Sequence, residues 1–149
     1  MLALADLPAG ELPDAGAKIA ALSEGPAVIA DKWMSDAFVA AAAQNSHNFL
    51  KSIATSSKGL SEALAERVAI VAEHYGRSAP SASVAELIAA FSAGEPTVVQ
   101  TIVSGMAAGW PADQKPAMTA ELEADLEKLV NRLDTGGRGQ LLRLAGIWG

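Results

Sequence analysis

The sequence predicts an all-α fold, an α-solenoid of about four antiparallel helix pairs, on three observations. Half of the residues are hydrophobic and roughly one in five is Ala, the strongest helix former. Apolar residues recur at helical spacing between Gly, Pro, Ser and Asp punctuation. The helical segments also alternate: first members carry Ile19, Leu50, Leu87 and Leu126, and second members carry Phe38, Val68, Ile102 and Leu142. Each series steps by roughly 30 to 40 residues, the period of stacked two-helix repeats. Such units cannot bury a face alone, so the core forms between neighbours.

Along the chain, Leu2, Leu4 and Leu7 read as the tail of a helix stopped by Pro8 and Gly10. Pro13-Asp14 opens a helix burying Ala17, Ile19 and Leu22 and ending near Gly25-Pro26. Val28 and Ile29 lead to Asp31, an N-cap. Trp33, Met34, Ala37, Phe38 and Ala41 then make a bulky stripe. Asn45 and Ser46 break that helix and cap the next, which carries Phe49, Leu50 and Ile53 before the turn at Ser56, Ser57 and Gly59. Leu60, Leu64, Val68 and Val71 define a helix over 60–75, which Gly76 ends ahead of Pro80.

Residues 81–111 give the clearest repeat unit. Ser83 and Glu86 form a capping-box pattern, and Val84, Leu87, Ile88 and Phe91 share a face. Gly94 suits a left-handed closing residue, and Pro96 suits the first position of the next helix. Val98, Val99, Ile102, Val103 and Met106 line that helix, ended by Gly109 and Pro111. A charged helix over 119–133 turns Leu122, Leu126, Leu129, Val130 and Leu133 inward. After a break at Asp134-Thr135-Gly136-Gly137, Leu141, Leu142, Leu144 and Ile147 begin a last helix that is still running at Trp148-Gly149. Both ends therefore read as cut from a longer chain.

Composition narrows function by exclusion. At 149 residues the chain is one domain's length, its single domain spanning 1–149. A net charge of −6, with Lys and Arg never in a run, argues against nucleic acid, whose binding needs a basic face to replace phosphate counterions. The absence of Cys excludes disulfides, thiolate metal sites and c-type haem attachment within these residues. The longest apolar run, 37–43, is far below the roughly 20 residues of a membrane span.

The repeats resemble HEAT-type helical repeats. The stretches L-A-L-A-D-L-P, D-K-W-M-S-D-A-F-V-A-A-A, A-E-R-V-A-I-V-A-E-H-Y-G-R-S and L-L-R-L-A-G-I-W-G are similar to the helical-repeat segment of large multidomain dehydrogenase-like proteins of planctomycetes and related bacteria. In that family a quinoprotein sugar-dehydrogenase-like β-propeller precedes the repeats and a cytochrome c module follows them. The resemblance implies that PQQ and haem c belong to flanking modules. It implies a periplasmic or cell-envelope location and no cofactor in this segment.

Candidate chemistry in the chain itself is sparse. His47 and His74 lack a second ligand at metal spacing, and His74 suits a helix C-terminus. Glu62 and Glu66 share a face and read as solvated, as do Glu121, Glu123, Asp125 and Glu127, with Asp125 and Lys128 attracting at i,i+3. Of three Trp, Trp33 reads as core, while Trp110 sits at a helix end and Trp148 at the terminus. Thr135-Gly136-Gly137-Arg138-Gly139 is loop-like but lacks the P-loop Lys and reads as a flexible turn.

With the resemblance, these observations lead to the expectation of a non-catalytic scaffold or protein-interaction module, set by that resemblance in a larger exported redox protein. Helices 31–43, 60–75 and 96–109 are expected to line one surface, offering Lys32, Asp36, Glu66 and Gln100 to a partner. That partner is a flanking domain or another protein, with self-association through exposed repeat ends as a further expectation. The alternative is a free-standing, cytoplasmic adaptor that holds a protein or peptide in a concave groove. A HEAT-like DNA glycosylase is a third class, disfavoured by the acidic charge.

Overall fold

A computed structural model describes residues 14–23, 25, 28 and 31–149, and every regular element among them is helical. The helices are α1 (Ala15–Leu22), α2 (Lys32–Gln44), α3 (Ser46–Ser56), α4 (Glu62–Arg77), α5 (Val84–Phe91), α6 (Pro96–Gly109), α7 (Ala120–Arg132) and α8 (Thr135–Trp148). The stretch 2–7, read above as a helix tail, lies outside the described residues.

Packing separates these helices into two layers. In the first, α1 meets α3, α3 meets α5 and α5 meets α7; in the second, α2 meets α4, α4 meets α6 and α6 meets α8. First members of the sequence pairs thus pack on first members and second members on second members. The core runs unbroken between the layers, from Ile19 and Phe38 through Val68, Leu87 and Ile102 to Leu129 and Trp148. Phe38 meets Phe49 edge-on, with ring centroids 5.7 Å apart.

Most helix starts are set by an oxygen acceptor. Asp31 accepts from the Trp33 and Met34 amides (2.8 and 3.2 Å), Ser61 from Leu64 and Thr119 from Leu122. Glu95 takes the Thr97 and Val98 amides (3.0 and 3.2 Å) ahead of Pro96, whose missing N–H leaves one donor fewer to satisfy.

The tightest contact joins α4 to α6. A Cβ on Gly105 would lie 2.5 Å from the Ala69 carbonyl oxygen and 2.7 Å from Ala72 Cβ; one on Gly76 would lie 2.6 Å from the Met106 carbonyl. On Gly109 it would overlap the Glu73 carbonyl. Backbone touches backbone here, and no rotamer change relieves an added atom.

Several local expectations are corrected. Gly76 does not end α4; it lies inside the helix against Met106, and Ala79 at φ 44° takes the left-handed position instead. Gly94 is not left-handed. It is a close-approach residue whose Cβ would lie 2.8 Å from the Ala54 carbonyl. The Ser83–Glu86 capping box does not form, because each side chain is engaged elsewhere. In α1 the buried face is Ala15, Gly16 and Ile19, whereas Ala17 and Leu22 face outward: Gly16 lets α1 approach the α3 backbone on that side. Trp33 is 82% exposed because it lies about 140° round the helix from Phe38, which centres the buried face of α2. Leu142 is exposed as well, the core positions of α8 being Leu141, Leu144 and Trp148. The segment Thr135–Gly139 is the start of α8, about one and a half turns of helix and not a flexible turn.

Gly105→Ala is expected to destabilise the protein by roughly 1–3 kcal/mol, since overpacking outweighs the helix-propensity gain of about 1 kcal/mol. Gly146→Ala, in α8 with open space around its Cα, should stabilise by up to about 1 kcal/mol. Urea unfolding of both variants checks the opposite signs.

Candidate functional site

The second layer presents the surface that the sequence singled out. Lys32 and Asp36 are exposed on α2 and Glu66 is exposed on α4, and no hydrogen bond or ion pair links the three among the described residues. Gln100 is half-buried on α6. With its amide oriented by hydrogen bonding, it donates to both carboxylate oxygens of Asp134 (3.0 and 3.1 Å). Asp134 also caps α8 by accepting from the Gly137 amide at 2.8 Å. Gln100 therefore ties α6 to α8.

Beside it lies a groove of about 430 Å³, lined by Ala69 of α4, by Thr97, Gln100, Thr101 and Ser104 of α6, and by Asp134. The α6 residues recur at i, i+3, i+4 and i+7, which puts them on one side of the helix. Thr101 donates its hydroxyl to the Thr97 carbonyl at 3.0 Å, and Thr97 donates its own to Glu95. The Thr97, Gln100 and Thr101 donors are thus bonded within the groove, whereas the Ser104 hydroxyl makes no hydrogen bond among the described residues.

A second constellation was not legible in the sequence. Glu86, in the first turn of α5, bridges two basic side chains of α3: Lys51 Nζ lies 2.5 Å from one oxygen and His47 Nε2 lies 3.3 Å from the other. The Lys51 hydrogen bond, helped by the nearby His47 ring, holds the Glu86 carboxyl below its usual range. Behind them the His47 ring packs on Tyr75 at a centroid distance of 6.2 Å, and the Tyr75 hydroxyl shares a 3.0 Å hydrogen bond with Ser83. Burial pushes the Tyr75 hydroxyl up to about 12; the Ser83 bond opposes this and Glu86 adds to it.

The available signal was the repeat itself, since Lys51 and Glu86 stand 35 residues apart, about one repeat step. Chemically the cluster is an ion-paired seam between neighbouring helices. Glu86 is more than half exposed, so each pair contributes no more than about 1 kcal/mol.

The remaining candidates fall into plain roles. His74 is exposed in the last turn of α4, near the ion pair between Arg77 and Glu73. Glu62, Glu66, Glu121, Glu123 and Glu127 are exposed, and Asp125 pairs with Lys128 at 2.7 Å. Trp148 is buried edge-on against Trp110 with ring centroids 5.0 Å apart, and Trp110 donates to the Gln114 carbonyl at 2.8 Å. Among the described residues no group of three or more His, Asp or Glu side chains could hold a metal ion. No helix there is long and apolar enough to cross a membrane. Comparison with protein-family models, curated proteins and solved structures returned no match.

The Tyr75 environment fixes a pH dependence. The fold holds the phenol neutral, so its contribution is complete below the ordinary value of 10.0 and is lost as pH rises toward about 12. Between pH 9 and 11.5 the wild type should lose about 2 kcal/mol more than Tyr75→Phe, measured by urea unfolding. Equal losses in the two proteins would show that the folded phenol ionises freely.

Proposed function

We propose that this chain is a HEAT-like helical-repeat scaffold that binds or spaces other protein modules through the outward face of α2, α4, α6 and α8. The observation that carries this reading is the layer order. Each helix spends its inward face on its neighbours, and the second layer is left with Lys32, Asp36, Glu66 and the Gln100 groove on its outer side. Trp33, Ile70 and Leu142, three of the large apolar side chains left exposed, also lie on second-layer helices. Exposed Trp is a frequent anchor of protein interfaces.

The family resemblance extends this reading to a particular setting. The scaffold would stand in an exported dehydrogenase-like protein, between a propeller using PQQ and a cytochrome c carrying haem. Chemistry would then belong to those modules and none to this segment. An immunoblot of the native organism, using an antibody raised against this chain, tests the setting. A band many times heavier than 15.2 kDa in the periplasmic or envelope fraction is expected. A 15.2 kDa band in the cytosol would replace it with the free-standing adaptor.

The interaction surface is tested separately. Once the native partner has been identified by co-purification, the double charge reversal Asp36→Lys with Glu66→Lys should weaken its binding about tenfold with stability nearly unchanged, the sum of two exposed charge contacts. An unaltered affinity by calorimetry removes both residues from the surface.

A further inference from the structure

We infer that the face which α7 and α8 turn away from α5 and α6 binds a second copy of this chain, α7 of each copy lying over α8 of the other. This goes beyond the interaction reading above and uses a different surface.

The helix turn locates the face. Among the described residues α7 packs on α5 and α8, and α8 packs on α6 and α7. Leu122, Leu126 and Leu129 are the buried residues of α7, and Arg132, about 80° round the helix from Leu122, reaches the carbonyls at the end of α5. Glu123 and Val130 lie about 80–100° round on the other side, with Glu127 next to them. In α8, Gly137 faces Gln100 of α6, and Arg138 and Leu142 lie about 100–140° round from it, away from α6. Glu123, Glu127, Arg138 and Leu142 are exposed, Leu142 by 60%, with Val130 and Ala145 half-buried beside them. Among the described residues Glu123 and Glu127 make no ion pair, and Arg138 spends only its Nε, on the Leu133 carbonyl at 2.9 Å.

The distribution of charge names the occupant. On this face the acids stand on α7 and the base on α8, a helix with two Arg residues and no acid. Lys115 adds a second base at the end of α8, its Nζ lying 3.2 Å from the place a Cβ on Gly149 would take. A partner of one sign, such as a nucleic acid or a polybasic peptide, meets its own sign on half of such a surface. A second copy does not, provided that the two-fold axis runs parallel to the helices: α7 then lies over α8 twice, and every acid faces a basic helix. The other two-fold axis in the plane of the face would set α7 on α7 and acid on acid.

The register agrees. Counted at 1.5 Å per residue from the Leu133–Asp134 turn, Arg138 stands about 6 Å along α8 and Leu142 about 12 Å, while Glu127 stands about 9 Å along α7 and Glu123 about 15 Å. A two-fold axis parallel to the helices preserves these heights. Each Glu127 therefore meets the other copy between Arg138 and Leu142, and each Leu142 enters between Glu127 and Glu123. Val130, Leu142 and Ala145 form an apolar centre inside a charged rim, the usual anatomy of an interface between folded partners.

Sedimentation equilibrium of the whole chain, from about 1 μM to about 1 mM, reads the association directly. A mass rising toward twice 15.2 kDa is expected. Arg138→Glu and Glu127→Arg should each weaken the dimer about tenfold or more, because the two-fold axis repeats every like-charge contact. Combining the two substitutions in one chain exchanges the partners and should restore most of the affinity. Lys128→Glu, on the side of α7 away from this face, should leave it unchanged.

A chain that stays monomeric throughout the range overturns the inference and leaves the face to a different polypeptide. A dimer that responds to Asp36→Lys with Glu66→Lys but not to Arg138→Glu overturns it too, by placing the interface on the second layer. Failure of the double substitution to recover binding removes the α7-over-α8 arrangement. None of these results touches the outward-face reading, which the reversal at Asp36 and Glu66 tests against a separate partner.

Discussion

The architecture depends on how closely α4 and α6 approach. Gly76, Gly105 and Gly109 remove the side chains that would hold the two backbones apart, and Ala69 and Ala72 complete a contact made mostly of main chain. That closeness brings Val68, Val71, Ile102 and Met106 into one buried cluster and places α2 on one side of the pair and α8 on the other. Each such glycine costs about 1 kcal/mol of helix propensity. The dispersion gained along two touching helices repays it, because packed surfaces lose contacts steeply with even a small gap.

The first layer solves the same problem by other means. Its α1–α3 contact uses one glycine, Gly16, against the backbone of Asn48 and Phe49. Its later contacts use charge. Arg132 of α7 donates to three carbonyl oxygens at the end of α5: Phe91 at 2.9 Å, Ser92 at 2.5 Å and Gly94 at 2.7 Å. A planar guanidinium fork can reach three acceptors together, and a cation there also meets the negative end of the α5 dipole. At the other end of α5, Glu86 holds Lys51 and His47 of α3. An eight-residue helix has little face to bury, so α5 is fixed at both ends by side chains of its neighbours.

Periodicity carried the fold, and it failed where an atom-level neighbour decided the outcome. Ile19, Phe38, Leu50, Val68, Leu87, Ile102 and Leu126 are buried as the alternating pattern required. Leu142 was misassigned because Leu141 and Leu144 satisfy the same spacing one position out of phase. Trp33 misled through its bulk, the choice of buried face belonging to Phe38, Ala41 and Ala42. Gly76 and Gly94, read as helix-ending residues, were packing residues, because a sequence shows the missing side chain and not the carbonyl that fills its place; Gly109 does end α6 as expected. Ser83 and Glu86 had the right spacing for a capping box, but Tyr75 and the α3 residues Lys51 and His47 compete for them from other helices. Of the four surface positions, Lys32, Asp36 and Glu66 followed from polarity opposite an apolar stripe. The Asp134 bond of Gln100 did not, because it joins consecutive repeats.

Capping and surface chemistry are coupled in the second layer. Asp31, Glu95 and Asp134 each spend a carboxylate on helix-start amides, which neutralises two orphan donors or one at each site and stabilises the end of the dipole. Part of the net charge of −6 is therefore a by-product of building helix starts from acids. Charge held against a helix dipole projects weakly beyond a Debye length of about 8 Å at physiological salt. Long-range steering of any charged partner is consequently modest. Short-range geometry carries more weight, and on α6 the Glu95 cap also holds the Thr97 hydroxyl beside the Gln100–Asp134 bond.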